Sequence, residues 1–131
     1  MIFPFPILEF DPAREAKIEP SRLIRPRDVP ERCVICFFGE VLAKVVTENN
    51  ARLAVDNHWE DGPHPIYEIE HQGQRLAFFH PGVGGPIAAG LLEESIASGC
   101  RKFMVCGGCG VLQKEIAVWH LIVVSVAVRD E

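Results

Sequence analysis

The sequence predicts an α/β fold, and three observations carry that prediction. Two short apolar runs of strand type, CVICFF at 33–38 and RLAFFH at 75–80, are each followed by a segment with helical spacing. The second run enters its helix through a glycine-rich turn, HPGVGGP at 80–86, and the helix leads into a third apolar run, KFMVC at 102–106. Strand, helix and strand in that order make a right-handed βαβ crossover with two parallel strands.

Each element follows from local chemistry. Residues 1–32 hold six of the ten prolines, Pro4, Pro6, Pro12, Pro20, Pro26 and Pro30. Each one biases its predecessor toward extended backbone and removes a hydrogen-bond donor, so this stretch reads as an extended arm packed on a neighbour. The α/β domain occupies 33–131. After the strand at Cys33, GEVLAKVVTENN carries Val41, Leu42, Val45 and Val46 at helical spacing before polar residues end it. ARLAVD at 51–56 suits a second strand, and DNHWEDGPHP then has the Asn, Asp, Gly and Pro density of a loop. IYEIE and RLAFFH flank HQGQ, which predicts a β-hairpin over 66–80 with Gly73 at a positive φ.

The helix over 86–98 has Pro86 at its start and Gly99 just past its end. Ala88, Leu91, Leu92, Ser95 and Ile96 share one face, with Glu93 and Glu94 facing away. Gly90 inside it costs about 1 kcal/mol relative to alanine in an exposed helix, which implies close packing on another element. LIVVSVAV at 121–128 is near-continuous in the manner of a strand buried on both faces. Such a strand wants neighbours and a covering helix, and the sequence stops three residues later at Glu131.

Composition narrows the function classes. The chain has 131 residues, 48% hydrophobic and 24% charged, the profile of one globular domain. Its net charge of −5 comes from scattered residues, so no surface for nucleic acid or anionic membrane is expected. LIVVSVAV is too short to cross a bilayer, and MIFPFPILEFDP lacks the basic start of a signal peptide; a cytoplasmic location follows. Five cysteines are an odd count in a chain with ample apolar mass, which fits free thiols in a reducing compartment.

The cysteines form two C-x-x-C pairs, Cys33/Cys36 and Cys106/Cys109, which raises the question of a four-thiolate zinc site. Strand residues three apart point to opposite faces, so Cys33 and Cys36 do not aim at one point, and no metal is expected. Redox chemistry of CGGC would want a helix behind the first cysteine, and GVLQKEIAVWH is a poor one. The glycines are more informative: Gly107, Gly108 and Gly110 turn the chain at the C-terminal end of a parallel strand, where α/β sheets place ligands. HPGVGGP does the same before the helix, whose free N–H groups suit an anion or hydroxyl. Two such turns at the ends of adjacent strands suggest a shared crevice for a small molecule. His58, His64, His71 and His80 fall in loops or at hairpin ends and read as solvated or capping residues.

Taken together, HPGVGGPIAAGLLEESIASGCRKFMVCGGCGVL and the later HLIVVSVAVRDE resemble the nucleoside phosphorylase superfamily over about residues 66–131. IEPSRLI and the strand and helix after Cys33 match it more loosely. The resemblance implies a phosphorylase-like mixed sheet with flanking helices, here the N-terminal portion of the domain. It also implies oligomers built from dimers, no cofactor, and cleavage of the N-glycosidic bond of a purine or pyrimidine nucleoside, with phosphate as co-substrate, to give free base and pentose 1-phosphate. The transition state resembles an oxocarbenium ion, stabilised by the phosphate and by hydrogen bonds to the departing base. By the same resemblance Gly107, Gly108, Cys109 and Gly110 contact substrate, while Gly82, Gly84 and Gly85 let chain and substrate approach closely, Gly84 being a substrate-binding candidate.

The sequence departs from the phosphorylase pattern in three ways. Val105 and Gly108 stand where phosphorylases keep an arginine and a Ser or Thr. FFGEVLAK replaces a Gly-Asp-Pro loop and its phosphate-binding arginine, and the loss of these anion-binding groups counts against phosphate. The family's base-binding aromatic, ribose-binding Glu and leaving-group acid all lie beyond the end of this sequence, so activity of the chain alone is not expected. Two alternatives stay open. One is a nucleoside hydrolase in which Glu40, at a helix start, activates water; the other is a non-catalytic binding or assembly module. Either way an open strand edge predicts a homo-oligomer, dimer or higher.

Overall fold

The computed structural model describes residues 13–128. Its elements run α1 (Pro20–Leu23), β1 (Arg32–Cys36), α2 (Gly39–Glu48), β2 (Arg52–Val55), β3 (His58–Trp59), β4 (Gly62–Pro63), β5 (Ile66–His71), β6 (Gln74–Phe79), α3 (Gly85–Ser98) and β7 (Lys102–Cys106). The five-stranded mixed sheet has the order β2-β5-β6-β1-β7. β1 lies parallel to both β6 and β7, and the β2/β5 and β5/β6 pairs are antiparallel.

The α/β class, the strand and helix from Cys33, the β-hairpin and the long helix are all as the sequence predicts. Gly73 has φ 72°, and Gln72 beside it also turns left-handed at φ 52°. α3 begins at Gly85, one residue before Pro86, and ends at Gly99 with φ 137°. Its buried residues are Leu91, Ser95, Ala97 and Ser98; Ile96, expected on that face, is 42% exposed. Gly90 packs as its presence in the helix implied. A Cβ there would lie 2.7 Å from Trp59 Cη2, and the Trp59 indole N–H donates to Glu94 Oε1 at 3.0 Å, fastening the small β3/β4 ribbon to α3.

The core lies between α3 and one face of the sheet, where Cys33, Ile35, Ala77, Phe79, Leu91 and Cys100 pack with Val55 and Ile66. Strand alternation puts Val34 and Phe78 on the opposite face, the side of α2. There Tyr67 and Phe78, cross-strand partners, stack with ring centroids 6.0 Å apart. α2 buries none of its residues, and Val41 is 51% exposed. The helix therefore stands off the sheet instead of closing on it.

Three expectations are corrected. First, the crossover does not join adjacent strands: β1 sits between β6 and β7, so the two glycine turns flank a third strand end. Second, 121–128 is not a strand. A strand holds its shape through a ladder partner, and among the described residues none pairs with it, leaving Leu121, Val123, Val124 and Val126 from 76% to 94% exposed. Third, the N-terminal segment is not extended throughout. Pro20 opens the one-turn α1, and the chain then lies on its own domain, with Arg27 N–H donating to Ser98 O at 2.8 Å and Asp28 accepting from Arg75 at 2.6 Å. Residues 1–12 of the proposed arm lie outside the described residues. Among those described, no helix is long and apolar enough to cross a membrane.

Candidate functional site

The parallel arrangement of β6, β1 and β7 brings their C-terminal ends to one rim of the sheet. β6 runs on into His80, Pro81 and Gly82, β1 into Phe37 and Phe38, and β7 into Gly107 and Gly108. Phe37 N–H donates to Cys106 O at 3.0 Å, which extends the β1/β7 ladder to the rim. Gly107 lies against the Phe37 ring and Gly108 against Phe38, so two aromatic side chains stand between the glycine turns. The two turns are thus separated by a third strand end with an apolar face.

At the first turn, Gly82 has φ 72°, and a Cβ on it would lie 2.7 Å from Ile87 Cδ1. Only glycine meets both conditions without strain. Gly82 N–H donates to His80 Nδ1 at 3.1 Å. A ring nitrogen that accepts carries no proton, so in the neutral ring the proton sits on Nε2. Gly84 and Gly85 are exposed, as are Gly107, Gly108, Cys109 and Gly110 at the second turn. The substrate-binding candidates therefore divide between two exposed turns on one rim. Glu40 is exposed in the first turn of α2, close to the helix N-terminus, where the dipole favours a carboxylate. Val105 is 62% exposed and offers an anion nothing.

The sulfurs pair across the C-x-x-C units. Cys33 meets Cys100 in the core, and that hydrogen bond together with burial pushes the Cys33 thiol well above its usual range. Cys36 meets its register partner Cys106; burial, then that contact, raises the Cys106 thiol. Cys109 is exposed. Two raised thiols, Cys33 buried and Cys106 half-buried, are poor nucleophiles and poor metal ligands, and among the described residues no group of three or more His, Cys, Asp or Glu side chains is placed to hold a metal.

A cavity of about 520 Å³ opens beside this rim, between α2 and the β5/β6 hairpin. Gly39, Leu42 and Val46 line it from the helix, Tyr67 and Phe78 from the sheet, and His64 and His80 stand at its edges. His64 Nε2 is 2.9 Å from Asp61 Oδ1, and that hydrogen bond holds the Asp61 carboxyl below its ordinary range. From the sequence, both histidines read as solvated or capping residues. Only the spacing between α2 and the hairpin puts both on one cavity, and spacing between elements has no local signal.

A second missed feature is the ionic cluster on the hairpin. Glu68 accepts from Arg52 at 2.9 Å and from Arg75 at 2.7 Å, and Arg75 also reaches Asp28 at 2.6 Å. Partial burial pushes the Glu68 carboxyl up, but the two guanidinium contacts outweigh it and hold it below the usual range. Glu68 and Arg75 on the hairpin and Arg52 on β2 thus anchor Asp28 of the N-terminal segment.

Comparison with known proteins agrees with this geometry. The phosphorylase superfamily matches residues 31–131. A guanosine phosphorylase from Halorubrum lacusprofundi is 33% identical over 66 residues, half of this chain and 27% of that protein. The crystal structure of a uridine phosphorylase from Vibrio fischeri superposes with a TM-score of 0.59 at 18% identity, over 76% of this chain and 40% of the other. The chain thus spans well under half the length of either relative.

Proposed function

The chain belongs to the phosphorylase superfamily, and from that premise we propose that its rim is the nucleoside-binding part of a phosphorylase site. The reaction is transfer of a pentosyl group from a nucleoside to phosphate, releasing the free purine or pyrimidine base and pentose 1-phosphate. The observation that carries the reading is the meeting of three parallel strand ends and two exposed glycine turns on one rim. Gly84, Gly107, Gly108, Cys109 and Gly110 offer backbone N–H groups and room for close approach to a ribose and its leaving base. Phe37 and Phe38 between the turns give the crevice an apolar floor. The remaining groups that such chemistry needs, an acid for the base and a partner for the ribose hydroxyls, come from the part of the relatives' length that this chain does not span or from a second chain. The chain works as a homo-oligomer and, with five free thiols, in a reducing compartment such as the cytoplasm.

One observation favours a second reading. Val105 gives phosphate no charge, and Glu40 is an exposed carboxylate in the first turn of α2, so water activated by Glu40 is the competing acceptor. Incubation of the chain with purine and pyrimidine nucleosides, with and without phosphate, separates the two by chromatography of the released base. Any release is expected to require phosphate. Release that ignores phosphate and vanishes in Glu40→Gln assigns a hydrolase instead. Nucleoside binding by calorimetry with no release under either condition leaves a binding module.

A further inference from the structure

We propose that Cys36 and Cys106 form a redox modification site, a reversible disulfide that ties the ends of β1 and β7 together at the rim. Neither C-x-x-C unit supplies it; the bond runs across them, between the last residues of two adjacent parallel strands. Cys36 and Cys106 are register partners, and the Phe37 N–H bond to Cys106 O at 3.0 Å keeps the ladder closed just beyond them. Adjacent strands lie about 4.8 Å apart, inside the range of roughly 4.4–6.8 Å that disulfides span between Cα atoms. Register partners direct their side chains to one face, and the two thiols are in hydrogen-bonding contact there. The ladder therefore already holds both sulfurs where a bond can close. Ile35 points into the core, so Cys36 points away from it, toward α2, the helix that stands off the sheet. Cys36 is buried and Cys106 half-buried, so a small oxidant reaches the pair from the Cys106 side. The other thiol pair, Cys33 and Cys100, is 1% and 0% exposed in the core, where the same oxidant has no route.

The oxidant is a peroxide. The Cys106 thiolate sulfur attacks one peroxide oxygen, the O–O bond breaks, and the hydroxide released takes up the thiol's proton, leaving a sulfenic acid and water. The Cys36 sulfur then attacks the Cys106 sulfur, the S–O bond breaks, and the hydroxyl leaves with the Cys36 proton as a second water. Two thiols give up two electrons and two protons, and one peroxide becomes two waters. Burial raises the Cys106 thiol, so its thiolate is scarce and the first step slow. The pair thus stays reduced in a reducing compartment and closes under sustained oxidant. A Cα spacing near 4.8 Å falls short of the 5.5–6 Å or so that most disulfides adopt, and bonds off that geometry are the more readily reduced. These properties suit a reversible modification rather than a structural bond. Phe37 and Gly107, the next residue on each strand, already touch. Once the bond forms, the glycine turn at 107–110 starts from a clamped end.

The test treats the reduced 131-residue chain with graded hydrogen peroxide. Remaining thiols are blocked after denaturation, and the chain is digested with trypsin, which leaves Cys33 and Cys36 on one peptide, 33–44, and Cys106 and Cys109 on another, 103–114. The two peptides should emerge joined from Cys109→Ser at peroxide levels that leave Cys100 free, and dithiothreitol should part them. The link should persist in Cys33→Ser and vanish in Cys36→Ser, with circular dichroism verifying that each variant folds. Fragmentation of the joined peptides from the wild-type chain places the bond independently of any variant. The linked chain should also melt about 5 °C or more above the reduced one, as expected for a bond that closes a long loop. A Cys106–Cys109 bond in its place, a bond between chains through Cys109, or Cys106 driven to sulfinic acid while Cys36 stays free overturns the proposal. A linked chain that melts no higher than the reduced one does so too, since the rim would then not be clamped.

Discussion

Two glycines show how single residues shape this molecule. Gly82 combines a left-handed φ of 72° with a neighbour 2.7 Å from any added Cβ, and Gly90 has Trp59 equally close. The left-handed conformation costs a residue with a Cβ about 1–2 kcal/mol, and overpacking adds a similar amount. Gly82→Ala should therefore lower stability by about 2 kcal/mol in urea denaturation. Gly90→Ala adds intrinsic helix propensity worth about 1 kcal/mol, yet it drives a methyl group into a rigid indole ring, so a net loss of about 1–2 kcal/mol is expected. If Gly90→Ala stabilises the chain instead, Trp59 does not sit on α3 as described. Gly90 was legible as a packing residue because an interior helical glycine needs a reason. Its partner was not, because Trp59 lies in a loop-like stretch with no periodicity.

At the scale of elements, what the sequence revealed and what it hid divide along the range of the forces. The β5/β6 hairpin and α3 are set by turn residues and spacing within a few positions, and both were legible. Strand order is set by packing between distant segments, so the entry of β1 between β6 and β7 was not, and neither was the Asp28/Arg75/Glu68/Arg52 cluster that ties 28 to the hairpin. That cluster gives the fold a pH dependence. Burial raises the Glu68 carboxyl and the arginines lower it by more; hydrogen bonding to Arg75 likewise lowers Asp28. A carboxyl with a depressed folded pKa contributes stability above its ordinary value, 4.5 for Glu68, and that contribution is lost as pH falls through the lower folded value. Acid unfolding should thus steepen below about pH 4. Glu68→Gln should lower stability at pH 7 by about 1.5 kcal/mol, the scale of hydrogen bonds to a charged group. It should also flatten the acid limb; an acid limb as steep as wild type would show that Glu68 does not govern it.

The whole molecule presents an imbalance that its elements do not resolve alone. Among the described residues β7 pairs with β1 on one side only, and Met104 and Val105 on it are 69% and 62% exposed. The apolar run at 121–128 has the composition of a strand and no ladder partner among the described residues. Periodicity states what a segment would bury and is silent on whether a partner is at hand, which is why a strand was expected there. An open edge beside a free strand-forming run favours pairing between chains, since every ladder bond formed satisfies a backbone group otherwise left to water. Burial of three valine-sized side chains adds about 5 kcal/mol before association entropy is subtracted, so the ladder bonds and the rest of the run have to supply the remainder of a stable contact. Multi-angle light scattering should accordingly find a dimer or higher assembly. Val124→Lys, which sets a charge in the middle of the run, should shift the chain toward monomer at equal concentration while circular dichroism stays unchanged. A wild-type chain that remains monomeric at millimolar concentration would mean that the edge is protected by some other route and that assembly is not how the site is completed.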